Sequence, residues 1–370
     1  MFLRACFAAL VGSLAAACDA GREGGDRADA GAPDAGRGAA VIDPNIQQAV
    51  QAAAASASAS ARAADGPPPN GVFRAGEADK AFSPTAPPKV EILAEGSEPR
   101  VVVAPKLDAE GAQTLRLVVN RGSGNQQQPG LEYTLAVKVE IPGKKPGTVE
   151  AAASAAPEAS PPELVLGVRA VDIIEAHRSR VPAELAKKIA KLKGSSLRMP
   201  LAPDGAAGEP VITLAKGADA EVGSVLAGLV ELAPLLFWPA PDKPLGAGAL
   251  FLVTDRATAV GVPVVRYRAI RVEDVRDGEA RMSMDLKMYV ADAGAVPPDF
   301  GAEDALVVAF EAAGKATWTR KPGALVPASG ELQLPLTFVL AARQNPQMGR
   351  PVQIKTVARV LAAADGEAKP

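Results

Sequence analysis

The chain has 370 residues, a formal net charge of −2 at pH 7 and only 4% aromatic residues. A surface that neutralises phosphates must be basic and usually carries aromatics for base stacking, so this balance argues against a nucleic-acid partner. The compositionally biased first quarter leaves about 280 residues to fold, a length compatible with one large β-rich unit.

Arg4 opens the chain ahead of an uncharged apolar run from Ala5 to Ala17. That run is long enough to engage a secretion channel and too short to span a bilayer. It ends in Leu14-Ala15-Ala16-Ala17-Cys18, small residues before a thiol, which is what a lipoprotein peptidase needs to draw the chain into its site. Residues 1–17 therefore read as a signal peptide and Cys18 as the lipidation site. The chain has two cysteines, and Cys6 leaves with the signal, so no intramolecular disulfide is expected. Each buried acyl methylene contributes about 0.8 kcal/mol, and two or more chains on one sulfur anchor stably.

From Asp19 the sequence is rich in Ala, Gly, Pro and Asp, ending in Gly66-Pro67-Pro68-Pro69-Asn70-Gly71, and residues 18–89 read as a disordered tether. Its span as a flexible coil is on the order of 45 Å. Asp43-Pro44 followed by Gln47 to Ala64 predicts a transient helix at most.

Residues 90–365 are expected to fold. Leu131, Tyr133, Leu135, Val137, Val139 and Ile141 alternate with polar residues, giving a strand with one wet side, and Thr114 to Asn120 supplies its hairpin partner. A Gly/Pro/Ala tract predicts a mobile insertion at 142–162, after which Leu164 to Ile174 resumes as strand. Pro182 opens a helix with Leu185, Ile189 and Leu192 on one face, Lys187, Lys188 and Lys191 on the other, and Gly194 as cap. Ser195 to Leu201 and Val211 to Leu214 are short strands. Val222 to Ala233 predicts a buried helix broken by Pro234 ahead of Leu235-Leu236-Phe237-Trp238.

The second half carries strand signals at 249–254, 264–272, 279–290, 306–312, 316–320, 331–340 and 352–361, with no βαβ rhythm. Pro335 inside one of them predicts an edge or a bulge. A three-residue loop Arg276-Asp277-Gly278 sets Val272 against Met282, Ile270 against Met284 and Glu273 against Arg281. The fold class expected is mainly β: a curved antiparallel sheet or half-barrel with two covering helices.

His177 is the one histidine and has no mature cysteine to join it, which removes the usual zinc sites and Cys/His nucleophiles. No Gly-x-Ser-x-Gly elbow, phosphate loop or calcium loop occurs, so no catalytic residue, metal or cofactor is assigned. A face built from Met282, Met284, Leu286 and Met288, with Tyr133, Leu135, Phe237 and Trp238, would suit an apolar ligand, and Arg266 and Arg268 beside it would suit an anionic headgroup. A filled core with snorkelling arginines accounts for the same residues.

The order of anchor cysteine, tether, Pro182 helix, Asp204-Gly205 turn, Val222 helix running into Pro239-Ala240-Pro241-Asp242-Lys243-Pro244, and a long antiparallel run resembles a domain-of-unknown-function family of lipoproteins from high-GC Gram-negative bacteria. More distantly it resembles the half-barrel carriers of the lipoprotein-localisation pathway, although their exposed apolar insertion loop has no counterpart here. The resemblance implies a lipid-anchored protein of a Gram-negative cell envelope, at the outer membrane facing the periplasm. The expected role is non-enzymatic binding or scaffolding, with the membrane as one partner and an apolar ligand or envelope protein as the other. A carrier of an acyl ligand is the alternative, and a hydrolase is least favoured.

Overall fold

The computed structural model describes residues 67–107, 112–124, 126–141, 161–202, 205–297 and 304–362. The segment read as a signal peptide, Cys18, the Ala-rich stretch at 47–64 and nearly all of the insertion expected at 142–162 fall outside these residues. In chain order the elements are α1 (Glu77–Ala81), β1 (Lys89–Ala94), β2 (Ser97–Val101), β3 (Gln113–Ser123), β4 (Gln126–Gln127), β5 (Leu131–Glu140), β6 (Glu163–Ile173), α2 (Glu175–Arg178), α3 (Ala183–Ala190), β7 (Ser196–Pro200), β8 (Val211–Thr213), α4 (Ala220–Gly223), a 3-10 turn (Ser224–Leu226), α5 (Ala227–Leu236), β9 (Leu245–Ala247), β10 (Leu250–Ala259), β11 (Val262–Arg276), β12 (Glu279–Val290), β13 (Ala305–Arg320), β14 (Ser329–Ala342) and β15 (Asn345–Leu361).

Thirteen of these strands form one antiparallel sheet in the order β1-β10-β11-β12-β13-β14-β15-β3-β5-β6-β7-β8, with β4 beside β3. The sheet has two free edges, β1 and β8, and is not closed into a barrel. Period-two patterning drives it: on β5 Leu131, Tyr133, Leu135 and Val137 are buried, while Glu132, Thr134 and Lys138 face outward. The two segments expected at 306–312 and 316–320 are one continuous strand, β13.

The inward side chains meet residues 222–238, which lie across the concave face. Tyr133 on β5 donates its hydroxyl to Val225 O, Arg121 on β3 pairs with Glu231 at 2.9 Å, Arg268 on β11 donates to Pro234 O and Arg320 on β13 donates to Leu236 O. These strands sit far apart in the sheet order, so contact with one short segment requires the sheet to curl around it. The predicted break at Pro234 is not where the helix breaks. The chain kinks earlier, through the 3-10 turn, and α5 runs through Pro234 to Leu236. Burial of Leu229, Leu232, Leu235 and Leu236 outweighs the one hydrogen bond that proline deletes.

The β11–β12 hairpin keeps the expected pairs Arg266↔Met288, Arg268↔Leu286, Ile270↔Met284 and Val272↔Met282. The device that sets them differs. Asp277 and Gly278 both have positive φ and make a two-residue turn, and a bulge at Glu273 then absorbs the extra residue, so Arg281 pairs with Asp274 and not Glu273. Pro335 also departs from expectation, lying on neither an edge strand nor a bulge. It pairs with Lys355 inside the sheet, and the β13–β14 ladder skips from Ala312↔Leu336 to Lys315↔Gln333 with no change of register. The N–H that proline lacks is the one that would face β13.

Residues from Pro68 belong to the compact unit, so the fold begins well before Val90. Strands β12 and β13 part beyond Lys287↔Ala313, and residues 70–73 fill the opening. Val290 N donates to Gly71 O, Phe73 N to Val290 O, Phe310 N to Asn70 O, and Asn70 Nδ2 to Val308 O at the β13 bulge. Only glycine fits at 71: its φ is 75°, and a Cβ there would lie 1.8 Å from Phe310 O. On the outer face α1 covers a small second cluster, Phe73, Ala78, Val265 and Ala291, edged by Phe82, Tyr267 and Tyr289. Burial pushes the Tyr267 phenol up to about 12.

Candidate functional site

The methionine face is on β12, where Met282, Met284, Leu286 and Met288 are all at most 5% exposed. Across from them stand Val272, Ile270, Arg268 and Arg266 of β11, and on the other side Trp318, Ala316 and Gly314 of β13 face the first three. Tyr133, Leu135, Phe237 and Trp238 are equally buried and belong to the same continuous core. The structure does not gather them into one pocket. Tyr133 points at Val225, while Phe237 and Trp238 lie at the end of α5, beside Arg320 and Leu325. Residues 222–238 occupy the concave face that an apolar ligand would need, and the face is a filled core, each large side chain contributing about 1.5 to 3 kcal/mol by its burial.

Arg266 and Arg268 are not at a mouth. They are 5% and 0% exposed and converge on Asp255. Asp255 Oδ1 accepts from Arg266 Nε at 3.0 Å, and Oδ2 accepts from Arg266 Nη2 at 2.6 Å and Arg268 Nη2 at 2.7 Å. Burial pushes the Asp255 carboxyl up, and the two guanidiniums overcome it, holding the group below the usual range. Burial and the Arg266 charge pull Arg268 down to about 9, which leaves it cationic at neutral pH. The expected headgroup site is thus an internal ion triad. The register of the β10–β11 hairpin, whose turn is Val260-Gly261, places Asp255 directly opposite Arg266.

His177 accepts a hydrogen bond at Nδ1 from Gly130 N at 2.6 Å, and Ile174 N donates to Gly130 O, so the imidazole pins the loop before β5 to the end of β6. Among the described residues no group of three His, Cys, Asp or Glu is placed to hold a metal. No described helix is long and apolar enough to cross a membrane.

Two features had no counterpart in the sequence reading. Arg320 is 2% exposed and sits over the Trp238 ring, 4.6 Å from its centroid. A groove of about 410 Å³ runs over the outer face of β5, β6 and β7, lined by Lys138, Glu140, Arg169, Ser196 and Arg198 among others. Arg198 bridges Glu140 and Glu163 there, and Glu140 is held low first by its hydrogen bond to Lys138 and then by the one from Arg198. The stems of Lys138 and Arg198, paired across Val165, cover that residue on an otherwise polar face.

The link between the sheet and its covering segment can be weakened at one atom. Tyr133→Phe is expected to cost about 1 to 3 kcal/mol, because Val225 O is left in the core without a donor. Urea unfolding followed by tryptophan emission checks this, and a loss near zero would mean that water reaches the carbonyl. The chain matches no protein-family model and no curated protein sequence.

Proposed function

We propose that this protein is a lipid-anchored component of a Gram-negative cell envelope that acts by binding or scaffolding and not by turnover. The observation that carries the reading is Leu14-Ala15-Ala16-Ala17-Cys18 at the end of an uncharged apolar run. Acyl chains on Cys18 hold the chain at a membrane, and the segment between Cys18 and Pro68 sets the reach of the fold. The outer membrane, with the fold in the periplasm, is the location this reading favours. A rigid sheet with a charged outer groove suits contact with another envelope protein better than chemistry on a substrate. Carriage of an apolar ligand is the second reading, and it requires residues 222–238 to leave the concave face.

The test is metabolic labelling with radioactive palmitate in a Gram-negative host expressing the full-length chain. Label is expected on the membrane-bound protein, and Cys18→Ala is expected to lose essentially all of it and move to the soluble fraction. Unlabelled protein with a thiol at position 18 open to alkylation would overturn the proposal.

A further inference from the structure

The connection from β6 to β7, made of α2, α3 and their flanks, carries charge of mostly one sign. Between Glu175 and Lys193 stand six cations, Arg178, Arg180, Lys187, Lys188, Lys191 and Lys193, against two carboxylates, Glu175 and Glu184, in a chain of formal net charge −2. Leu185, Ile189 and Leu192 pack toward the core, which leaves Lys187 and Lys191, one turn apart, on the outside of α3. Arg178, Arg180 and Lys193 at the two ends of the helix are exposed as well. Arg178 pairs with Glu175, Lys187 with Glu184 and Lys188 with Asp219, and the first two pairs are exposed i,i+3 contacts of the kind that hold weakly in water. Arg180, Lys191 and Lys193 have no ion-pair partner among the described residues.

The order of the sheet fixes which end carries this surface. β6 ends at Ile173 opposite Leu131, where β5 begins, and β7 begins at Ser196. Carried through β3, β15 and β14, the antiparallel ladders put that end together with the last residue of β12 and the first of β13, where residues 70–73 enter. The chain leading from Cys18 therefore joins the fold at the end that carries α2 and α3. We propose that this basic surface docks on the anionic phospholipid headgroups of the membrane and holds that end of the sheet against the bilayer. The rest of the chain is net acidic, so an anionic surface repels it and selects this face. The docking rests on the lipid-anchored reading for its reach: taken as a coil, the segment from Cys18 to Pro68 spans on the order of 40 Å. A tether of that length supplies an effective concentration of roughly millimolar order, so a weak contact suffices.

The full-length Cys18→Ala chain, which carries no acyl group, is mixed with vesicles of phosphatidylcholine alone or of equal parts phosphatidylcholine and phosphatidylglycerol, and the bound fraction is read by flotation. The apolar run at 5–17 adds the same affinity to both, so the difference between them reports the charged contact. Expected is tighter binding to the anionic vesicles, lost at about 1 M salt, where the Debye length is about 3 Å. Each Lys or Arg near an anionic leaflet tightens binding about fivefold, so Arg180→Gln, Lys191→Gln and Lys193→Gln together should weaken it on the order of a hundredfold. Arg276→Gln, Arg281→Gln and Lys321→Gln together remove three exposed cations at the opposite end of the sheet and should leave it within about twofold. Equal losses in the two triple variants would mean that net charge alone acts, and no preference for the anionic vesicles would mean that the surface has no lipid partner; either result overturns the docking. Palmitate labelling is independent of this outcome. Vesicle preference without label discards the anchor and keeps the docking, and label without preference does the reverse.

Discussion

Asp255→Asn is expected to destabilise the fold by about 3 to 5 kcal/mol, because it strands two guanidiniums that are 5% and 0% exposed. Unfolding in urea should show a lower midpoint with an unchanged slope. The loss is not a sum of contacts. In a double-mutant cycle, Arg268→Met added to Asp255→Asn should restore part of the stability, since it removes one of the stranded charges. The triad also leaves a mark on pH dependence. Asp255 titrates lower in the folded chain than in the unfolded one, so its contribution is complete above the unfolded value of about 3.9 and is lost as pH falls through the folded value. The Asn variant should therefore have a flatter acid limb. A loss below about 1 kcal/mol would show that water screens the triad.

Met284→Asp is expected to abolish folding, since it places a carboxylate at a position 2% exposed whose direct cross-strand neighbours, Ile270 and Ala316, are apolar, and the diagonal Arg268 is already held by Asp255. Burying an unpaired charge in a packed core costs more than about 4 kcal/mol, enough to exhaust much of a typical domain's stability. Met284→Leu, of similar volume, should lose less than about 1.5 kcal/mol. Circular dichroism and limited proteolysis separate the outcomes. A folded, cooperative Asp variant would mean that the concave face opens to solvent, and it would favour carriage of an apolar ligand over a closed core.

The strands were legible where one face is wet, because alternation then survives along the whole element: 131–141 and 279–290 each carry it nearly without fault. The hairpin body was also legible, since a slip of one residue would have mixed Met284 with charged neighbours. Its turn was not, because a bulge at Glu273 and a two-residue turn give the same pairs as a longer loop. The partner of Arg266 stayed hidden for a related reason. The turn that pairs it with Asp255 uses Val260 at φ 51°, a conformation that β-branched residues avoid, so the hairpin carries no ordinary turn signature. Arg320 reads as a charged residue closing a strand; only the curl of the sheet over Trp238 buries it. Residues 70–82 read as tether because Val72, Phe73 and Ala78 show no period, and they are buried by strands far away in sequence.

The seam at 70–73 has a mechanical consequence. Any tension carried by the chain preceding Pro68 reaches the fold in the middle of the sheet, between β12 and β13, and not at a fraying edge. There it meets four hydrogen bonds, to Val290 twice, Phe310 and Val308. Loaded along the strand direction, such bonds share the pull in shear instead of unzipping singly, so the attachment point is built to drag the whole sheet as one body.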